Sequence, residues 1–324
     1  MALGHARVSF HDLEPDAGGF LDDVIAGLSQ PQKALSPKYF YDQRGCELFE
    51  AICELPEYYP TRTELAMTQA RVSEIAQRLG PECVLIEYGS GSSRKTRVLI
   101  SALNPVAYVP IDIAGEHLKA AALDLAGVFP ELSIIAVCAD YSRPLALPDI
   151  DRLGARRRIV YFPGSTIGNF TVPEARQFLV HARRLVGAGG AMLVGVDLKK
   201  NHGVLHAAYN DAQGVTAAFN ANLLARINRE LGADFDLAAF RHHAFYNADA
   251  GRIEMHLVSL KDQQVTLGGN VFPFRAGETI HTENSYKYSV AEFETLARAA
   301  GFEPEARWID PQQLFSVHYL AAPH

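Results

Sequence analysis

The stretch best suited to chemistry by residue type and spacing is Glu87-Tyr-Gly89-Ser-Gly91-Ser-Ser-Arg94-Lys95-Thr96. A short apolar run, Val84-Leu-Ile, leads into it, and a helical pattern from Lys95 to Leu103 leads out. A glycine loop between strand and helix lets backbone N–H groups approach a ligand, and the helix N-terminus favours negative charge there. A dinucleotide loop needs a third glycine for close helix–strand packing, and Arg94 occupies that place. A phosphate-binding P-loop could use Gly89, Lys95 and Thr96, with Asp197 as the magnesium-holding acid, but it too needs glycine where Arg94 stands.

S-adenosylmethionine asks less of such a loop. Its carboxylate suits the helix N-terminus, and no pyrophosphate has to be wrapped. Glu87, Gly89 and Gly91 follow the acid-x-Gly-x-Gly pattern typical of class I methyltransferases. In that class an acid ending the second strand holds ribose hydroxyls, and Asp112 ends the run Ala107–Ile111. Another acid often follows the third strand near the adenine, and Asp140 follows Ser133–Cys138.

These residues must be held in a row by the elements between them. Continuous apolar runs alternate with helical patterns up to Asp197, which predicts a parallel sheet covered on both faces. Thr61-Arg-Thr-Glu64 reads as a capping box opening a helix that runs to Leu79. After Asp197 the rhythm breaks into one long helical stretch and two strand-like segments, 252–258 and 278–288. It resumes with a helix over 290–300 and a closing strand pair, 303–308 and 314–320. The predicted fold class is therefore α/β. A Rossmann-like methyltransferase sheet over 63–199 plus 287–324 is joined to a smaller α+β substrate domain from 1–62 plus 200–286.

Composition narrows the partners. The chain has 324 residues, and 30 Lys+Arg against 37 Asp+Glu leave a net charge of −7. That balance argues against nucleic acid or an anionic membrane surface as partner. The triplet Arg156–Arg158 is too small to change this and reads as an exposed turn. No apolar run is long enough for a spanning helix, and the first residues have no signal-peptide core, so a cytoplasmic setting is expected. Cys46, Cys53, Cys83 and Cys138 are too scattered for a disulfide framework or zinc knuckle. His202 with His206, and His242-His243, read as solvated faces rather than metal ligands. No metal is expected.

Several segments resemble the histidine Nα-methyltransferases of ergothioneine biosynthesis. They are Ser36-Pro-Lys-Tyr-Phe-Tyr-Asp42, Leu55-Pro-Glu-Tyr-Tyr-Pro-Thr-Arg-Thr-Glu64, Gly164-Ser-Thr-Ile-Gly-Asn169, Asn210-Asp-Ala-Gln-Gly-Val-Thr-Ala-Ala-Phe-Asn220 and Arg252-Ile-Glu-Met255. The resemblance covers nearly the whole chain. It implies three methyl transfers from S-adenosylmethionine to the α-amine of L-histidine, giving hercynine, with the mono- and dimethylated amino acids as intermediates.

Residue by residue, the resemblance implies that Gly89, Lys95, Asp112, Asp140 and Tyr141 contact the cofactor, although family members commonly have Phe where Tyr141 stands. Tyr58, Gly164, Asn169, Tyr209, Thr216, Met255, Glu283 and Ser285 are implied to surround the amino acid. Tyr41, Tyr58 and Asn169 are the candidate catalytic residues, and Glu283 with Ser285 the imidazole-binding pair. On a strand, Glu283 and Ser285 face one side and Asn284 the other. A monomer is expected. An acceptor that is another aromatic amino acid, or a P-loop-like nucleotide-binding protein, stays open as an alternative.

Overall fold

The computed structural model describes residues 8–13, 19–91, 94–148 and 150–324; Ser92 and Ser93 of the glycine loop lie outside them. In chain order the elements begin with β1 (Val8–Asp12), α1 (Phe20–Leu28), α2 (Gln43–Glu54), α3 (Tyr59–Leu79), β2 (Cys83–Tyr88), α4 (Arg94–Leu103), β3 (Ala107–Asp112) and α5 (Gly115–Val128). They continue with β4 (Ser133–Cys138), β5 (Arg157–Phe162), α6 (Val172–Val186), β6 (Ala191–Asp197), α7 (His202–Tyr209), α8 (Val215–Leu231), β7 (Phe240–Asn247) and β8 (Arg252–Ser259). The last are β9 (Gln263–Leu267), β10 (Asn270–Phe274), β11 (Thr279–Tyr286), α9 (Val290–Ala299), β12 (Glu303–Ile309) and β13 (Phe315–Ala321).

The chain divides into two compact units. The first, Met1–Pro15 with Pro60–Lys199 and Lys287–His324, contains one eight-stranded sheet in the order β1-β4-β3-β2-β5-β6-β13-β12. The strands from β1 to β6 pair in parallel, and β13 and β12 are antiparallel. Strand order reverses at β2, which lies between β3 and β5. The central strands β2 and β6 are buried along their whole length, so their sequences are apolar without alternation. Their core partners include Leu99 and Ile100 of α4, Leu118 and Leu125 of α5, and Ile75 and Leu79 of α3. α6 opens on a capping box formed by Thr171 and Glu174, and it ends at Gly187 with φ +69°. The topology, with an antiparallel strand inserted beside β6, is that of the class I methyltransferases.

Two expectations need correction here. β1 was placed with the substrate domain, yet Val8–Asp12 pairs in register with Ile134–Cys138 and belongs to the sheet. Its pattern, Val-Ser-Phe-His-Asp, is an exposed edge strand without the continuous apolar signal of its neighbours. The boundary near 62 also moves to Tyr59/Pro60. α3 begins at Tyr59, so Thr61 is not its cap and Glu64 lies inside the helix, fully buried.

The chain leaves the sheet after Asp197 and returns at Lys287, and these ends are tied together. Tyr288 N–H donates to Asp197 O (3.1 Å) and Lys199 N–H to Tyr288 O (3.0 Å). Lys287 Nζ pairs with Asp197 Oδ2 at 2.7 Å, and both side chains are shielded from solvent.

The second unit, Asp16–Tyr59 with Lys200–Tyr286, holds a three-stranded antiparallel sheet in the order β11-β8-β7 and the hairpin β9–β10. The single long helical stretch expected after 200 is two helices. Asp211 separates them, accepting the N–H groups of Val215 and Thr216 at 2.9 and 2.8 Å and so capping α8. Strands β7, β9 and β10 were not foreseen. Gly268-Gly269, both at positive φ, turns the β9–β10 hairpin and was its one local signal.

Breaking a buried ion pair by removing one partner costs about 3–5 kcal/mol. Lys287→Met should therefore lower unfolding free energy by about that amount in urea titration, and adding Asp197→Asn should recover much of it. Simple additivity of the two substitutions would contradict the pairing.

Candidate active site

The carboxyl ends of β2, β3, β4 and β5 carry the first group of candidate residues, at the reversal of strand order where open α/β sheets bind ligands. Gly89 leaves β2 with φ +69°, a conformation that side chains disfavour. Its N–H donates to Ile111 O (2.8 Å), which fixes the loop against β3. A Cβ at Gly89 would meet the Tyr141 hydroxyl at 3.6 Å, so the loop and Tyr141 are close neighbours. The Tyr141 ring packs among Tyr88 (5.5 Å), Phe162 (5.9 Å) and Phe178 (6.4 Å), so the hydroxyl that distinguishes it from Phe does not displace it from this aromatic group.

Asp112 ends β3 half-buried. Ala114 N–H donates to it (3.0 Å), and burial raises its pKa above the usual carboxylate range. Asp140 follows β4 and accepts from both the N–H and the hydroxyl of Ser142 (3.0 and 2.5 Å). Asp112 is thus tied by backbone N–H groups of its own turn, Ile113 and Ala114, and of the glycine loop, Gly91, and Asp140 is tied by its own turn.

Lys95 sits in the first turn of α4 and pairs with the buried Glu64. Gly164, at φ +79°, turns the chain after β5, and its N–H donates to the same Glu64 at 2.8 Å. Ser165, also left-handed at φ +59°, accepts from Asp197 N–H at 2.8 Å. The turn then runs into a 3-10 helix, Thr166–Asn169, which ends at half-buried Asn169. Gly164 and Asn169, expected to touch the amino acid, thus share the unit of the glycine loop.

The acid of the loop motif plays another part. Glu87 points inward, where Thr96 Oγ1 lies 2.7–2.8 Å from its oxygens and the Tyr108 hydroxyl donates to it. Burial raises its pKa to about 7 against the bonds from Tyr108 and Thr96. It fastens β2 to α4 and β3 and is not a ligand-facing group.

The remaining candidates gather in the second unit. Glu283 and Ser285 on β11 lie opposite Met255 and Ile253 on β8. The register shifts between His281 and Glu283, so His281 pairs with His256 and Glu283 with Met255. Neighbours on β8 point to opposite faces, and the bulge therefore separates His281 from Glu283 although only Thr282 lies between them. Asn284 stands opposite Glu254 on the face away from Glu283, as strand geometry requires.

The Tyr209 hydroxyl donates to Ser285 Oγ at 2.7 Å, and the Tyr58 and Tyr209 rings meet edge to face at 6.3 Å. Tyr41 packs against Phe49 and Phe219 (5.7 and 5.9 Å), and Phe49 in turn against Tyr58. Burial, then the neighbouring Tyr209, Cys53, Glu283 and Tyr41, push the Tyr58 hydroxyl well above 10, so it is protonated at neutral pH. Thr216 is buried at the start of α8.

Behind this cluster stand residues to which the sequence assigned no role, although Asn220 ends one of the family-like segments. His242, read as solvated, is half-buried. It bonds Asn220 (2.9 Å) and Tyr209 O (2.9 Å), and burial lowers its pKa. Asn220 Oδ1 accepts from Thr282 (2.8 Å), linking α8 to the bulge. Among the described residues, Glu254, His256 and His281 offer ligand atoms within 4.8 Å of one another. The two imidazoles are nearly parallel (12°, centroids 4.7 Å apart), so their in-plane lone pairs do not converge on one ion. Against the raising effect of burial, contacts from Arg252 (2.7 Å), His256 (3.1 Å) and Asn247 (2.9 Å) draw the Glu254 pKa down to about 2.

The fold agrees with what the family match shows, an S-adenosylmethionine-dependent methyltransferase. Residues 20–322 match the family described as histidine-specific methyltransferase, SAM-dependent. The chain belongs to that family. It is 42% identical to a histidine N-alpha-methyltransferase of Mycolicibacterium smegmatis, over 91% of this chain and 92% of the relative. It is also 42% identical to one from Mycobacterium tuberculosis, over 97% and 99%. A 4-dimethylallyltryptophan N-methyltransferase of Aspergillus fumigatus is 27% identical over 90% of each chain. The P-loop reading has no support from these matches.

Glu87 generates a pH-dependent prediction. Its carboxyl ionises near 4.5 when unfolded and near 7 when folded. Between those values unfolding releases a proton. The stability it contributes is full below about pH 4.5 and lost as pH rises through about 7, a change of about 3 kcal/mol. Glu87→Gln should remove that slope, so its melting temperature should gain on the wild type between pH 5 and 7.5. A difference that stays constant with pH would contradict this.

Proposed function

We propose that the chain transfers three methyl groups in succession from S-adenosylmethionine to the α-amine of L-histidine, giving hercynine. The observation that carries the reading is Glu283 and Ser285 side by side on β11, with Ser285 bonded to Tyr209, in a chain of the histidine-specific family. A carboxylate and a hydroxyl on one strand face can take both nitrogens of an imidazole.

Gly89, Lys95, Asp112, Asp140 and Tyr141 fit the donor: a left-handed glycine for close approach, a cation for a carboxylate, acids for hydroxyls and an aromatic wall. S-adenosylmethionine, when bound, supplies a methyl group on a sulfonium. Each transfer forms an N–C bond, breaks an S–C bond and consumes a neutral nitrogen lone pair; three transfers to the ammonium form release three protons. Tyr58, protonated at neutral pH, is not the resting base. We assign it to hydrogen bonding and to the aromatic surroundings, with Tyr41 and Tyr209, that suit a quaternary ammonium product lacking N–H donors. Asn169 offers a neutral amide that can orient the amino-acid backbone without adding charge near a sulfonium.

We further take the working form to be a cytoplasmic monomer that engages neither nucleic acid nor membrane. The net charge of −7 speaks against nucleic acid and an anionic membrane surface, and no helix among the described residues is long and apolar enough to cross a membrane. A different aromatic acceptor is the second reading, favoured by the relative that acts on a tryptophan derivative.

Glu283→Ala separates the two. A hydrogen bond to a charged group contributes about 1.5–3 kcal/mol, so the KM for histidine should rise roughly ten- to hundred-fold while affinity for S-adenosylmethionine stays within about threefold. An unchanged KM for histidine would contradict the imidazole assignment.

A further inference from the structure

We infer that Glu64 is a positioning residue for donor binding: it sets the Lys95 ammonium and the Gly164 turn through one buried carboxylate. The inference rests on the methyltransferase reading. Glu64 lies in α3, at the end of the family-like segment Leu55–Glu64, where its letters suggested only a helix cap. Its side chain is wholly shielded from solvent, while that of Lys95 is 15% exposed, so a fully buried anchor holds the ammonium of a side chain that solvent still reaches. Oε2 takes both partners, the Lys95 ammonium and the Gly164 N–H. Lys95 opens the helix after the glycine loop and Gly164 opens the turn after β5, on the two strands flanking each other at the order reversal.

The fold makes room for this carboxylate at a cost. Gly195, in the middle of β6, faces it: a Cβ there would lie 2.1 Å from Glu64 Oε1, so any side chain at 195 would push the carboxylate out of this position. Oε1 itself is buried with no hydrogen-bond partner among the described residues. A buried carboxylate oxygen without a donor is destabilising, and a neutral apolar side chain would serve packing better. Glycine inside a central strand is a further loss. Two unfavourable features maintained around one charge point to what that charge holds. An ammonium has three donors. With one given to Glu64, the only hydrogen-bond partner of Lys95 among the described residues, the others can meet a ligand carboxylate from a fixed direction, and the pair as a whole adds no net positive charge beside a sulfonium.

The test is calorimetric binding of S-adenosylmethionine to the full chain, with no turnover. Wild-type protein that fails to bind would sink the methyltransferase reading itself. Given wild-type binding, Glu64→Gln and Lys95→Met should each weaken it roughly ten- to hundred-fold, and the double variant should be no worse than about threefold beyond either single one. Lys95→Met, at a partly exposed site, keeps the test open if Glu64→Gln does not fold. Unchanged affinity in Lys95→Met, or losses that multiply in the double variant, would overturn the inference.

Discussion

Strand order reverses at β2, and what the first unit can bind follows from that constraint. Because β2 has β3 on one side and β5 on the other, the connections to those strands diverge, and the carboxyl ends open a crevice. Gly89, Asp112, Asp140 with Tyr141, and Gly164 each leave a different strand at that end. No one of these residues is diagnostic by itself. Their alignment suits the proposed binding of a cofactor with a carboxylate, a ribose and an adenine, and a parallel sheet produces it through register alone.

Holding those ends requires charge in the interior. Glu64 with Lys95, Glu87 with Thr96 and Tyr108, and Asp197 with Lys287 are all buried polar groups in the same unit. Each is partnered, as burial demands, but not each to the same degree. The Asp197–Lys287 pair closes the point where the chain departs for the second unit and returns. The Glu87 carboxyl, raised by burial to about 7, fastens the loop from beneath through Thr96 and Tyr108. The glycine loop therefore stands on a polar foundation, while the rest of the sheet packs on Leu, Ile and Val.

Much of this was legible in the chain. Strands β2 to β6 are continuous apolar runs, and acids or glycines stand at their ends, so period and position coincide. The second unit was harder. β11 was readable as a segment, but the bulge that puts His281 and Glu283 on opposite faces depends on pairing with β8, which no local pattern encodes. β1 is an edge strand with exposed residues, and β7 alternates around polar histidines. Glu64 was the most instructive error: Thr61-Arg-Thr-Glu64 has the letters of a capping box, yet the helix starts earlier and the glutamate turns inward. Capping letters report a helix start only when the chain before them is not helical already. The proposed acceptor residues rest on resemblance, since a tyrosine, a threonine and a glutamate far apart in sequence carry no signal until β8, β11 and α8 bring their surroundings together.

The central claim is that the paired Glu283 and Ser285 select histidine for exhaustive N-methylation of its α-amine. Mass spectrometry of the purified chain incubated with L-histidine and excess S-adenosylmethionine tests it most directly. The account predicts a product heavier by three methyl groups, all on the α-nitrogen, with intact imidazole nitrogens. Unmodified histidine beside an aromatic amino acid that is methylated instead, or methyl groups on the ring, would contradict it.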